Sequence, residues 1–155
     1  MPTYFAYGSN MNQEDLNRHF KKYYHYIWVP RRPRVAVLKD YRLDFNYYSE
    51  SRKGSAANIM ASPGDSVVGL LFEVDEQEFK VLGRKEGAPD RYDEIDVEVT
   101  ADGRAVDAKT FKVLKKHETE FRKPAADYMA LIISAAEAHD FPAWYIEKLR
   151  RVPVA

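Results

Sequence analysis

Apolar and polar positions alternate with a period of two over several stretches, and each such stretch predicts a strand. Tyr41, Leu43, Phe45 and Tyr47 alternate with Arg42, Asp44 and Asn46, which assigns the two sets to opposite faces of a sheet. Val35-Ala36-Val37-Leu38 precedes them as a separate short strand rich in β-formers. Residues Ala56–Ala61 and Val67–Val74 flank Pro63-Gly64-Asp65, whose proline and glycine suit a turn, so these two runs are expected to pair as a hairpin. In Tyr92–Thr100, Ile95, Val97 and Val99 alternate with acidic residues, giving a strand with one wet face. Ala101-Asp102-Gly103 then turns the chain into Ala105–Leu114, a second expected hairpin.

Spacings of three and four mark the helices. Asn10 or Asn12 caps a helix that carries Leu16 and Phe20. Asp75-Glu76-Gln77-Glu78 has the form of a capping box ahead of Phe79 and Leu82, and that helix should end within Gly83–Gly87, before Pro89. Pro124 opens a helix with Met129, Ile132, Ile133 and Ala136 on one side, and Pro142–Arg151 forms a shorter one pinned by Trp144, Ile146 and Leu149. Ser49–Ser55 is polar and basic with Gly54 inside it, and reads as a mobile loop able to close over a ligand. Lys115–Lys123 is charged and irregular.

At 155 residues the chain suits one domain, residues 1–155, with one real core. It has no cysteine, which excludes thiolate catalysis, disulfides and cysteine-based zinc sites and fits a reducing cytoplasm. Neither a signal segment in the first 20 residues nor an apolar run of membrane-spanning length is present, so a soluble cytoplasmic protein is expected, with no membrane partner. The formal net charge of zero argues against a dedicated nucleic-acid binder. The charges are nonetheless uneven: Arg18, Lys21, Lys22, Arg31, Arg32 and Arg34 interleave with Tyr23, Tyr24, Tyr26 and Trp28, whereas 73–98 is mostly acidic. Such a stretch, residues 18–34, can stack bases and grip phosphates, giving a remoter RNA-binding alternative; a solvated helix end followed by a core-seeking strand with snorkelling cations is the simpler reading.

The chemistry centres on two places. Tyr4-Phe5-Ala6-Tyr7-Gly8-Ser9-Asn10-Met11 is a short aromatic strand, a glycine turn and a helix start, a combination that aims backbone N–H groups at an anion. It lacks the Lys-Ser/Thr of a Walker loop and the three glycines of a dinucleotide fingerprint. Glu86, beside Gly87 at a helix end, is the candidate acid or base. His19, His25, His117 and His139 show no metal-ligand spacing, and Ser9 lacks a Gly-x-Ser-x-Gly elbow. An anion cradle and one carboxylate suit a zwitterionic small substrate. Taken singly, each also has an ordinary reading, as a ligand-free strand-to-helix junction and as a solvated helix-end charge.

The run Tyr4–Met11 resembles the signature of gamma-glutamylcyclotransferases, and the likeness continues in order through Ser62-Pro63-Gly64-Asp65 with Val68–Glu73, through Glu86-Gly87, and through Pro124, Tyr128, Glu137, Pro142, Tyr145 and Leu149. This resemblance implies an α+β fold: a small mixed β-barrel flanked by helices, with the site in a cavity at one end. It implies an enzyme that cyclises a gamma-glutamyl compound to 5-oxoproline and frees an amine or amino acid, without metal or cofactor. By the same resemblance, the turn formed by Tyr4, Phe5, Ala6, Tyr7, Gly8, Ser9 and Asn10 holds the glutamyl group through its backbone. Glu86 is the acid/base, Tyr128 borders the pocket, and Tyr92 is a further contact. The partner implied is a small gamma-glutamyl substrate, with no nucleic acid; the oligomeric state is not specified. Arg84 and Lys85 depart from the family pattern: close to Glu86 they would lower its pKa, or, with Arg52-Lys53, favour an acidic leaving group. A binding module on the same scaffold, capturing the ligand without turnover, is the other reading.

Overall fold

Gly69 lets two strands of a barrel approach closely: a Cβ there would lie 2.4 Å from the carbonyl oxygen of Ala6 and 2.6 Å from the ring of Phe5. The computed structural model describes residues 1–155. In chain order it has β1 (Thr3–Ala6), a 3-10 turn (Ser9–Met11), α1 (Gln13–Tyr24), β2 (Arg31–Ser49), β3 (Gly54–Glu73) and α2 (Glu76–Glu86). These are followed by β4 (Tyr92–Ala101), β5 (Arg104–Val113), α3 (Ala126–Ala138) and α4 (Ala143–Arg150). The strands close into a barrel in the order β1-β3-β2-β4-β5. All pairings are antiparallel except the closing one, where Tyr4 of β1 lies parallel against Lys109 of β5. The fold is therefore a small mixed barrel with flanking helices. No helix is long and apolar enough to cross a membrane.

Long-range pairing overrides several local signals. The expected hairpin at Pro63-Gly64-Asp65 does not form: residues on both sides belong to β3 and pair with the same neighbour, Ala61 with Tyr41 and Ser66 with Lys39. The turn residues instead bulge outward opposite Asp40, which has a φ of 66° and accepts a hydrogen bond from the Gly64 N–H at 3.0 Å. For the same reason Val35–Leu38 and Tyr41–Tyr48 are not two strands but parts of β2. A second irregularity between Phe45 and Tyr47 turns Asn46 inward, so it leaves the wet face assigned by alternation and accepts from Asn58 at 3.0 Å. Ser49–Ser55 is a tight hairpin rather than a free flap: Ser49 pairs with Gly54, and Arg52 is tied to Asp15.

Both ends of α2 follow the sequence. Asp75 and Glu78 form the capping box, and Gly87, with φ 85°, ends the helix in the left-handed region. α1 begins at Asn12, whose side chain accepts from the Asp15 N–H, while Asn10 is free for another role. Stacking of Phe20 on Trp28, 6.0 Å between centroids, and of Trp28 edge-on against Phe72 seats α1 on the barrel. Phe79 stacks on Phe111 at 5.2 Å and seats α2 beside β5. α3 starts at Ala126, two residues after Pro124. In α4 the buried stripe is Tyr145 and Leu149, and Trp144, expected inside, is 54% exposed because i and i+4 rather than its own position face the barrel.

Candidate active site

The chain leaves β1 at Ala6, crosses the mouth of the barrel through Tyr7 and Gly8, and enters the 3-10 turn that carries Asn10 inward. Glu86 reaches the same place as the last residue of α2. The Asn10 amide joins them, its Nδ2 donating to Glu86 Oε1 at 2.7 Å and to the Tyr4 hydroxyl at 2.9 Å. Its Oδ1 accepts from the Lys85 ammonium at 2.7 Å, and since an ammonium only donates, this fixes which way the amide points. Two segments 76 residues apart in sequence thus meet through one buried side chain. Glu86 Oε2 accepts no hydrogen bond from the chain, which leaves one carboxylate oxygen available to a ligand.

Two connected spaces meet at Glu86. The inner one, about 20 Å³, is lined by Tyr4, Tyr7, Gly8, Asn10, Ala57 and Phe111 together with Ser9, Glu86 and Tyr128. It holds a group the size of a water or a carboxylate, not a whole glutamyl unit. The outer one is a cleft of about 720 Å³ that shares Ser9, Glu86 and Tyr128 with the inner pocket. The N–H groups of Tyr7 and Gly8 find no acceptor in the chain, as an anion cradle requires. Gly8 is needed for room, since a Cβ would lie 3.2 Å from Ala57 Cβ and 3.5 Å from the Tyr128 hydroxyl. Tyr128 accepts from the Ala57 N–H at 2.9 Å, and burial pushes its pKa up to about 12, so it stays protonated with its own hydrogen left to donate.

The other expected residues divide. Tyr92 lines the outer cleft, but its hydroxyl is committed to the Ala57 carbonyl at 3.1 Å, and Tyr7 donates to the Phe111 carbonyl. Phe5 and Ala6 line neither space: their backbones pair with Leu71 and Leu70 in the barrel, and the Phe5 carbonyl accepts from Thr110. Ser9 is one of the three residues the two spaces share, with its hydroxyl 3.4 Å from Arg52.

Charge surrounds the carboxylate in a defined order. Asp15 receives Arg52 through both oxygens, at 2.9 and 3.2 Å, and Lys85 at 3.4 Å. Burial raises the pKa of Glu86; Lys85, Arg52 and the Asn10 hydrogen bond pull it down, Asp15 pushes it up, and the result is a carboxyl held above its ordinary value. Burial lowers the Lys85 pKa against the attraction of Glu86 and Asp15. Asp15 is also desolvated, yet its bonds to Arg52 and Lys85 hold it below the ordinary aspartate range. The positive residues expected to weaken Glu86 therefore act unequally. Lys85 does oppose the rise, while Arg84 is not among the charges that shift Glu86 and donates to Tyr24 in the outer cleft at 3.3 Å.

Sequence reasoning named Lys85 and Arg52 as charges near Glu86 but missed Asp15, the acid both are bound to, and missed the Asn10 side chain as the group that holds Glu86. Asp15 reads as an ordinary first-turn acid of α1, and nothing local to it points to a partner in a hairpin 37 residues on. Of the basic aromatic stretch, Trp28 is in the core and Arg31 is paired with Glu78, so the fold uses both. No group of three or more His, Asp or Glu is arranged to hold a metal ion.

Residues 66–149, a span that includes Glu86 and Tyr128, match the family described as the AIG2-like family. A Mus musculus protein named gamma-glutamylcyclotransferase is 29% identical over 160 aligned residues, covering 96% of this chain and 77% of that one. The Bos taurus protein of the same name is 28% identical over 155 residues with the same coverage. The solved structure of a gamma-glutamyl cyclotransferase matches with a TM-score of 0.84 at 26% identity, covering 99% of this chain and 89% of that chain.

Proposed function

The chain belongs to the AIG2-like family, and from that premise we propose that it is a gamma-glutamylcyclotransferase with Glu86 as its acid/base. The observation that carries the reading is the Asn10–Glu86 bond, which holds one carboxylate oxygen at the junction of the two spaces and leaves the other open. A glutamyl unit spans that junction. Its α-carboxylate enters the inner pocket toward the Tyr7 and Gly8 N–H groups, and its α-amine, on the same carbon, lies at Glu86. The γ-amide and whatever it carries then extend into the outer cleft.

The α-ammonium cannot attack until it loses a proton, and Glu86 Oε2 takes it. The freed nitrogen adds to the γ-carbonyl carbon of the same molecule, closing a five-membered ring. Because nucleophile and electrophile share one chain, the step draws on high effective molarity, about 7–11 kcal/mol in well-oriented cases. The oxyanion so formed needs donors, and the Tyr128 hydroxyl, protonated throughout neutral pH, borders the place where it develops. The carbonyl carbon then releases the original amide nitrogen. In total two protons leave the α-nitrogen and two arrive at the departing nitrogen, which exits as an ammonium, and one carboxylate carries both in turn. Phe5 and Ala6 act in this reading by building the wall, not by touching substrate.

The test is release of 5-oxoproline from gamma-glutamyl peptides and amines by the purified protein. Glu86→Gln should keep the fold and lose at least ~10²-fold in kcat, the usual scale for removing a general acid/base. Full activity in that variant would remove Glu86 from the mechanism. Tight binding of these compounds with no 5-oxoproline from any would leave a binding module instead.

A further inference from the structure

Building on the cyclotransferase reading, we infer that the outer cleft selects leaving groups that are themselves acidic: amino diacids, carrying two carboxylates beside the amide nitrogen. The cleft lining holds four cations, Arg52, Arg84, Lys85 and Arg91, against a single acid, Glu86, in a chain whose formal net charge is zero. Two of the four are already answered. Arg52 and Lys85 are bound to Asp15, which is not part of the lining.

Arg84 and Arg91 have no acidic partner. Arg84 makes one hydrogen bond, to the neutral Tyr24 hydroxyl, and Arg91 makes no side-chain hydrogen bond or ion pair at all. Both are nevertheless held at the cleft. Arg84 is anchored by Tyr24, itself part of the lining, and the methylenes of Arg91 pack over Gly87, where a Cβ would come within 3.4 Å of Arg91 Cδ. They sit two and five residues either side of Glu86 along the chain, on the side into which the departing group must extend. A guanidinium offers a planar fork that a carboxylate matches in two places, and two such forks match a diacid.

The same lining says what is refused. Apart from the catalytic carboxylate there is no acid in the cleft to receive a second ammonium. A gamma-glutamyl conjugate of a diamine would place its free positive end against Arg84 and Arg91, and its approach would be slowed by the same field that draws in an acid. The preference should therefore run from gamma-glutamylglutamate through gamma-glutamylalanine to gamma-glutamylputrescine.

The subsite can be read without turnover. Calorimetric titration of the Glu86→Gln protein with those three compounds should give at least ~10-fold tighter binding of gamma-glutamylglutamate than of gamma-glutamylputrescine at low salt, with the gap narrowing at high salt. Replacing both Arg84 and Arg91 by glutamine in that background should erase most of the gap by weakening the diacid more than the alanine compound. Equal binding of all three, tighter binding of the putrescine compound, or a gap untouched by the double replacement would overturn the inference. Absence of 5-oxoproline from the parent protein is a separate result that strikes the cyclotransferase reading and not the binding order.

Discussion

Asn10 holds Glu86 at 2.7 Å with the same amide nitrogen that holds Tyr4, while its oxygen faces Lys85. One neutral side chain therefore connects β1, the helix that bears the acid and the buried cation beside it. It fixes the carboxylate at one oxygen and engages both its amide nitrogen and its oxygen in doing so.

Removing that clamp should cost rate more than fold. Asn10→Ala releases Glu86 from a fixed geometry, and a displacement of about 1 Å at a reacting group is worth roughly 10²-fold in kcat. The lost hydrogen bond also favoured the ionised carboxylate, so the acid limb of kcat/KM should move to higher pH. A variant with unchanged kcat and an unmoved limb would show that Asn10 does not position Glu86.

Lys85 and Asp15 should move the same limb in opposite directions. In the proposed mechanism Glu86 must be ionised to accept the first proton, so activity should rise with pH through its pKa, which lies above the ordinary carboxyl value. Lys85→Met takes away a charge that lowers that pKa, and the limb should shift to higher pH. Asp15→Asn takes away a charge that raises it, and leaves Lys85 and Arg52 less neutralised, so the limb should shift to lower pH. Shifts of the same sign in pH–rate profiles of the two variants would contradict the charge arrangement.

How much of this was legible in the sequence follows from the range of each interaction. The capping box at Asp75, the exit at Gly87 and the Asp102-Gly103 hairpin are set by neighbours a few residues apart, and the structure has each of them. Pro63-Gly64 carries equally clear local chemistry, yet Asp40 and the ladder to β2 lie more than 20 residues away and convert the expected reversal into a bulge. The site divides in the same way. Glu86 and the Tyr4–Asn10 turn are contiguous motifs, whereas the Asp15–Lys85–Arg52 cluster exists only once α1, α2 and the β2–β3 hairpin are brought together.

Gly8 should tolerate no side chain without loss of binding. In Gly8→Ala the new methyl meets Ala57 at 3.2 Å and stands 3.5 Å from the Tyr128 hydroxyl, so it occupies an inner pocket of only about 20 Å³. KM should rise by roughly tenfold or more, the scale of a misfit by one methyl group. Stability should fall as well, because Gly8, at φ −118° and ψ −140°, lies outside the regions alanine prefers. Steady-state kinetics with a gamma-glutamyl substrate, alongside a melting curve, separates the two. A normal KM would place the glutamyl group elsewhere.

The two acids of the site should have opposite effects on stability, and pH tells them apart. Glu86 has a raised pKa in the folded chain, so its favourable contribution is complete below the unfolded value, about 4.3, and is lost as pH rises through the folded value. At pH 7 the ionised carboxylate is a net burden on the fold. Glu86→Gln stays neutral at every pH and should melt higher than the parent at pH 7, by about 2–4 °C for each kcal/mol recovered, with the two curves converging below about pH 4. Asp15 has the reverse sign: its pKa is depressed, so it stabilises above the unfolded value near 3.9 and loses that contribution as pH falls through the folded one. Asp15→Asn should melt lower at pH 7 and approach the parent only in acid. Thermal unfolding of the three proteins from pH 3 to 8 provides the comparison. If Glu86→Gln were the less stable variant at neutral pH, the carboxylate would be a structural ion-pair partner, and its burial would no longer count as preparation for proton transfer.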